Sequence, residues 1–199
     1  DLYAMLDAKP FYNLERVPLR FNSLDEYLDL FEPLLLDECR AQIVRSTFES
    51  DAPHHLMPLI AANQSAPFRV FTFKLPDAAV DTNLKCGYVE TDLVLISHER
   101  FDLAAALEGT EQQFYTLALV CGLADGNLKL KCFLPERKPP LMLRANFERL
   151  TTMSKGLHLK SGKWFIFKLG NMITINREFQ ALYSVRDLPL APQLLRPGP

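Results

Sequence analysis

The side chains best suited to binding chemistry in this sequence are basic and aromatic, and they are concentrated in one stretch. Residues 127–178 carry 11 lysines and arginines against 3 acidic residues, although the 199-residue chain has a net charge of −2. Aromatic residues are interleaved with these bases, namely Phe147, Trp164, Phe165 and Phe167. Proteins that hold single-stranded nucleic acid combine a basic groove with aromatic rings on which bases stack. The stretch therefore predicts a surface with weak affinity for single-stranded RNA or DNA.

Four bases of this stretch are predicted to contact phosphate: Arg149, Lys155, Lys160 and Lys163. Charge alone leaves a second interpretation open, because a solvated strand face shows the same alternation of basic and apolar residues. Phe165 and Phe167 are more readily interpreted as core residues. Strand alternation also allows only one of Trp164 and Phe165 to face solvent.

The sequence motifs of most enzyme classes are absent. Neither GxxxxGK[ST] nor GxGxxG occurs, so no phosphate-binding loop is predicted. The four histidines and four cysteines lack metal-ligand spacing, and no Cys-x-x-Cys pair is present. We therefore expect this chain by itself to hold no cofactor and no metal, and to have no enzymatic activity of its own.

Composition narrows the class of protein further. Hydrophobic residues make up 48% of the chain and charged residues 23%, which are values typical of globular domains. No apolar stretch approaches the roughly 20 residues that cross a bilayer, so no membrane partner is expected. The scattered cysteines favour a reducing compartment.

Helical patterns precede the strand patterns in the sequence. Ser23 followed three residues later by Glu26 has the form of a capping box and predicts the start of a helix. Pro33 is expected to break or kink this helix, with a second helix running from there to about Thr47. Residues 51–67 contain prolines and are predicted to form an irregular connection.

The middle of the sequence changes from helical periodicity to strands. Asp125-Gly126 separates two alternating segments and predicts a hairpin turn. The segments predicted to be strands are 68–75, 92–97, 114–121, 128–134, 147–153 and 163–169. About six short strands with turns between them favour an α+β fold with a small antiparallel barrel or sandwich.

A last helix is predicted after the strands, from Ile175 to about Val185, with Thr174 as its cap. Because helices flank the strands on both sides, we expect them to pair as a stem. The predicted contact joins the helix that contains Leu35, Cys39 and Ile43 to the helix that contains Phe179 and Leu182.

Several segments also resemble a known family. They are FNSLDEY at 21–27, FEPLLLDE at 31–38, DLVLIS at 92–97, YTLALV at 115–120 and ITINREFQAL at 173–182. Together, and in this order, they are similar to the region that precedes the ATPase core in senataxin-like superfamily 1 helicases, the group that includes the nonsense-decay helicase.

The resemblance implies an accessory β-barrel of about six strands, carried on flanking stalk helices. Residues 1–50 would form the N-terminal segment and stalk, 51–172 the barrel, and 173–199 the return helix and a Pro-rich linker. The ATPase core of the same polypeptide is expected to follow. ATP and Mg²⁺ are implied only for that core.

The function that the resemblance implies is that of a helicase accessory region, which helps to clamp and orient single-stranded RNA or DNA. The implied location is nuclear or cytoplasmic, with the nucleus favoured. The alternative function is that of a protein-interaction module, whose barrel binds a peptide or a partner subunit. Salt distinguishes the two, because phosphate contacts weaken steeply with ionic strength and an apolar peptide groove responds little.

Overall fold

The computed structural model of the chain describes residues 16–49, 55–65, 68–76, 87–101, 114–140, 142–158 and 162–196. Its helices are α1 (Leu24–Glu49), α2 (Arg144–His158), α3 (Ile173–Ser184) and α4 (Ala191–Leu195), with a 3₁₀ turn at Val185–Asp187. Its strands are β1 (His55–Ser65), β2 (Phe68–Lys74), β3 (Asp92–Ser97), β4 (Tyr115–Ala124), β5 (Asn127–Phe133) and β6 (Lys163–Asn171).

The six strands form a closed antiparallel barrel in the order β1-β2-β5-β4-β3-β6. The predicted α+β fold with a small barrel is therefore confirmed. The described residues divide into two compact units, a barrel unit at 46–171 and a helical unit made of 16–45 and 172–196. α2 belongs to the barrel unit, whereas α3 and α4 belong to the helical unit.

The barrel is filled by the alternate side chains of its strands. On β2 these are Phe71 and Phe73, and on β5 they are Leu128, Leu130 and Cys132, all nearly or fully buried. The predicted Asp125-Gly126 turn joins β4 to β5, with positive φ angles of 52° and 69° that match a tight hairpin. Each fully buried apolar side chain contributes about 1.5–3 kcal/mol, so this interior dominates the stability of the barrel unit.

α2 replaces the strand that was predicted at 147–153, so this prediction is wrong. Leu150, Met153 and Leu157 recur at helical spacing, and all three are buried in the barrel core. Gly156, which is unfavourable in a helix interior, stands where an added Cβ would lie 3.0 Å from the Trp164 ring. The glycine therefore permits the close approach of α2 to β6.

β1 is the second correction, because the structure has a strand at His55–Ser65 within the predicted irregular connection. Pro58 lies at the last pair that β1 makes with β6, opposite Lys163. Pairing with β2 begins only at Leu59, opposite Phe73. The proline thus stands at the junction of two ladders, where a missing N–H is tolerated more easily than in mid-ladder.

α1 runs without interruption through Pro33, so the predicted break is wrong. The hydrogen bond that proline cannot donate is the one to the carbonyl of Asp29, an exposed residue whose oxygen water can reach. The predicted cap is confirmed, since Ser23 Oγ accepts from the Glu26 N–H at 3.0 Å. The Glu26 carboxylate in turn accepts from the Asn22 N–H at 2.7 Å.

α3 begins at Ile173, and its N-cap residue is Met172, which makes no side-chain capping hydrogen bond. The predicted cap at Thr174 is therefore wrong. Within the helical unit α1 and α3 are neighbours. Tyr183 Oη donates to Glu32 Oε2 at 2.6 Å, and Arg186 pairs with Asp25 at 3.2 Å. These polar contacts join α1 to the end of α3 and to the 3₁₀ turn, and the predicted packing of apolar side chains between the two helices stays a prediction.

The apolar residues predicted for that contact differ in burial. Cys39 and Ile43 are buried, whereas Leu35, Phe179 and Leu182 are half-buried. Burial raises the pKa of the Cys39 thiol, and the nearby carboxylate of Glu178 adds to the rise. An acidic α3 side chain therefore lies close to the α1 thiol.

Candidate nucleic-acid interface

Arg149 lies on α2 and is turned toward the barrel wall. Its guanidinium carbon lies 4.1 Å from the centroid of the Tyr115 ring, and Nη1 donates to the Tyr115 carbonyl. Tyr115 is fully buried and packs edge-on against Phe101, with ring centroids 5.4 Å apart. Arg149 therefore fastens α2 to β4.

The other predicted phosphate contacts that the structure describes are more exposed than Arg149. Lys155 is exposed on α2, on the side opposite the buried Leu150, Met153 and Leu157 stripe, and Lys163 is exposed at the first residue of β6. Lys160 lies outside the described residues. A common phosphate-binding surface of these residues stays a prediction.

Two of the four aromatic residues predicted to accompany these bases are buried. Trp164 is 3% exposed and faces the edge of the His98 ring at 5.3 Å between centroids. Phe167 is buried, and Phe147 and Phe165 are half-buried. Of Trp164 and Phe165, it is thus Phe165 that points away from the barrel interior.

A different surface combines exposed rings with lysines. We call it the β2–β5 outer face. Its residues are Phe68, Val70, Thr72 and Lys74 of β2 with Asn127, Lys129, Lys131 and Phe133 of β5. The strand register places these residues in cross-strand pairs, with Phe68 opposite Phe133 and Val70 opposite Lys131. Because side chains alternate along each strand, all eight lie on the side away from the core.

Phe68 and Phe133 form the aromatic end of this face. Phe68 is 44% exposed and Phe133 is 37% exposed, and their ring centroids lie 5.5 Å apart at 56° between planes. Lys131 Nζ lies 4.6 Å from the Phe68 centroid. An exposed cation–π contact contributes about 0.5–1 kcal/mol, and a base stacked on an aromatic ring contributes about 1–3 kcal/mol. Stacking is therefore strong enough to displace the ammonium group from the ring.

The strands that form this region carry basic residues and no acidic ones. The four adjacent strands β1, β2, β4 and β5 contain no Asp or Glu. Lys74, Lys129 and Lys131 are exposed, and in the part of the chain that the structure describes none of them forms an ion pair. The outer face is therefore cationic.

Other cations of the barrel are occupied by internal partners. Arg69 is buried and bonds Ser154 Oγ of α2 at 2.9 Å and Glu136 at 3.5 Å. Lys168 Nζ lies 2.7 Å from the fully buried carboxylate of Asp92 and 2.8 Å from the carbonyl oxygen of Gly87. These two residues hold elements together and are not free to meet a ligand.

The buried Asp92 carboxylate has further partners besides Lys168. It accepts from the Val89 N–H at 2.8 Å and from Asn171 Nδ2 at 2.8 Å. Thr91, between Val89 and Asp92, has a φ of 69°. The cluster therefore fixes a tight turn before β3 to the end of β6.

Sequence reasoning found part of the β2–β5 outer face. Alternation along 128–134 already indicates one packed face and one basic face that carries Lys129 and Lys131. What it could not find is Phe68 beside Phe133, because these residues meet only through the register of two strands that are distant in sequence.

Comparison with protein-family models and with curated protein sequences finds no match to this chain. Among the described residues, no group of three or more His, Cys, Asp or Glu side chains is placed to hold a metal ion. A search of the same residues finds no helix that combines the length and the apolar character required to cross a membrane.

Proposed function

We propose that this chain is the accessory stalk-and-barrel region of an ATP-dependent RNA or DNA helicase, where it helps to clamp and orient single-stranded nucleic acid. In this proposal its partners are a single strand, bound weakly, and the ATPase core of the same polypeptide. ATP and Mg²⁺ would be bound by that core.

The observation that carries the proposal is the pairing of the two helices that flank the barrel in sequence. Glu32 of α1 meets Tyr183 of α3, and Asp25 meets Arg186. A domain is inserted into a larger protein most readily when its two chain ends leave it close together. Paired flanking helices meet this requirement, and they agree with the stalk that the sequence resemblance implies.

Nucleic-acid binding is supported by the charge of the strands. Their exposed basic residues are Lys74, Lys129, Lys131 and Lys163, and their one acidic residue is the buried Asp92. An excess of cations on a barrel wall attracts phosphates and weakens with salt.

Fluorescence anisotropy with labelled oligouridine at several salt concentrations tests this function. We expect a dissociation constant of roughly 10⁻⁴–10⁻⁶ M and a steep decrease in affinity with salt. Lys155→Ser and Lys163→Ser should each flatten the logarithmic salt slope by roughly 0.7 if the side chain contacts phosphate. Arg149 is left intact, since its removal would disturb α2.

Lys138→Ser is the matched control. Its ammonium group is held by nearby backbone carbonyls, including that of Met142 at 2.8 Å, so this variant should bind as the wild type does. Wild-type protein that does not bind oligouridine would contradict the proposal. Capture of a peptide with an affinity indifferent to salt would favour the alternative of a protein-interaction module.

A further inference from the structure

We infer that the β2–β5 outer face is a stacking platform for bases of single-stranded nucleic acid. Phe68 and Phe133 supply the rings, and Lys129 and Lys131 contact the phosphates. The inference rests on the proposed function, because it names the surface of the barrel that meets the strand. It assigns the contact to residues other than those predicted from sequence, such as Lys155 and Lys163.

The geometry suits an extended polyanion. Lys131 and Lys129 follow one another along β5 at a separation of roughly 7 Å, on the same side as the rings. Phe133 is the next residue of that row, and Phe68 lies directly across from it. A strand that stacks one base at the ring pair can therefore lay its neighbouring phosphates along β5.

Charge complementarity selects the occupant. Four adjacent strands without a single Asp or Glu present exposed lysines around two exposed rings. A peptide that binds by adding a strand needs an open sheet edge, whereas these six strands close on themselves. A nucleic-acid strand has bases that can stack on the rings and phosphates that can pair with the lysines.

Lys131 would change partner when a strand binds. In the free protein its ammonium group lies 4.6 Å from the Phe68 ring centroid and covers one face of that ring. A base that takes this face releases the ammonium group toward the adjacent phosphate. One side chain thus shields the apolar ring in the free protein and neutralises charge in the complex.

The experiment separates stacking from charge by comparing two ligands of equal charge. Labelled oligouridine is measured beside an oligomer with the same number of abasic sugar-phosphates. Phe68→Ala and Phe133→Ala should each weaken oligouridine binding by about 5- to 150-fold and leave binding of the abasic oligomer unchanged. Phe68→Leu should lose as much affinity for oligouridine as Phe68→Ala, because leucine is apolar and of similar bulk but has no ring on which a base can stack.

The lysines should behave differently from the rings. The double variant Lys129→Ser, Lys131→Ser should weaken both ligands and flatten the salt slope by roughly 0.7 for each contact. Leu143→Ala is the control for an exposed apolar side chain that belongs to neither β2 nor β5, and it should bind as the wild type does.

The outcomes distinguish this inference from the proposed function. Salt-dependent binding by the wild type that is unchanged in the Phe68, Phe133 and lysine variants would overturn the platform and leave the proposed function standing. Absence of binding by the wild type would overturn both. If poly-glutamate competes as well as oligouridine and the ring variants have no effect, the face binds any polyanion through charge alone, and the inference is overturned.

Two further measurements keep the test decisive. A peptide that binds the wild type and Phe68→Leu equally well, while the wild type binds no oligouridine, would identify a peptide as the occupant and overturn the inference. If circular dichroism shows that a ring variant is unfolded, wild-type protein is photocrosslinked to oligomers that contain 5-iodouridine. Crosslinks at Phe68 or Phe133 support the platform, and crosslinks found only elsewhere contradict it.

Discussion

Lysine has two different structural roles in the barrel, one on the β2–β5 outer face and one where β3 meets β6. On the outer face the ammonium group of Lys131 lies 4.6 Å from the centroid of the exposed Phe68 ring. Where β3 meets β6, Lys168 is bound to the fully buried Asp92 carboxylate and to a backbone carbonyl. Lys131 can contact a ligand without a large loss of stability, whereas Lys168 cannot.

The difference teaches that a count of charges does not measure a binding surface. Residues 127–178 include 11 bases, yet Arg149 is fastened to Tyr115 and Lys168 to Asp92. A cation is available to phosphate only where its present partners are water or a ring that it can leave. By this criterion Lys129 and Lys131 are better candidates for phosphate contacts than Arg149.

The largest effect expected from this comparison is on stability. Lys168→Met should lower the free energy of unfolding by about 3 kcal/mol, because it leaves the buried Asp92 carboxylate without its cation. We place the loss at the low end of the range for buried pairs, since two hydrogen bonds to Asp92 remain. Lys131→Met should change the free energy by less than about 1 kcal/mol. Urea unfolding of both variants measures the contrast.

A double variant serves as the control. The double variant Asp92→Asn, Lys168→Met should lose less free energy of unfolding than the sum of the losses of the two single variants, because the neutral amide of asparagine needs no cation. Equal stability of Lys168→Met and Lys131→Met would remove the distinction between the two regions.

A smaller effect is expected from acid, and it concerns β1 and β6. His55 is half-buried, pairs with Ile166 in the β1–β6 ladder and lies 5.7 Å from Tyr88 between ring centroids. Burial lowers the pKa of His55 below its ordinary value of about 6.5. The unfolded chain therefore takes up the proton first. The free energy of unfolding should be constant at pH values above about 6.5 and should decrease at lower pH.

Urea midpoints of the wild type and His55→Gln at pH 7.5 and pH 5.5 measure this effect. The variant should lose less stability on acidification, since glutamine has no proton to gain. No histidine lies on the β2–β5 outer face, so acid should act on the β1–β6 side of the barrel. Identical losses in the two proteins would show that other groups carry the whole pH dependence.

The smallest effect sharpens the description of the outer face. Lys129 and Lys131 point the same way from β5, and like charges about 7 Å apart in water repel by about 0.6 kcal/mol. Lys129→Gln should therefore raise the free energy of unfolding by a few tenths of a kcal/mol at low salt. The gain should vanish in 1 M NaCl, where the Debye length is about 3 Å. A gain that persists in high salt would point to a cause other than charge repulsion.

Local patterns predicted the parts of the fold that local physics determines. The Ser23 cap, the Asp125-Gly126 hairpin and the strand at 92–97 each depend on a few neighbouring residues, and each is confirmed. The total of about six strands also agrees, but it contains one false strand at 147–153 and omits β1. Those two errors involve a glycine and a proline whose meaning depends on tertiary packing.

Gly156 and Pro58 show why those elements were missed. In isolation a glycine weakens a helix and a proline weakens a strand. In the fold, Gly156 makes room for the Trp164 ring, and Pro58 lies where one ladder gives way to another. For the candidate site the same limit applies, because the basic side of β5 is visible in sequence and its pairing with Phe68 is not.

The strand order of the barrel also has a consequence for synthesis of the protein. β6 is the last strand of this barrel that the ribosome makes, and it lies between β1 and β3. Until β6 emerges, β1 and β3 each have an unpaired edge of the kind that promotes aggregation. Closure depends on contacts between distant residues, and such topologies fold slowly. The nascent chain should therefore depend most on chaperones just before Asn171 leaves the exit tunnel, and truncation before β6 should leave it insoluble.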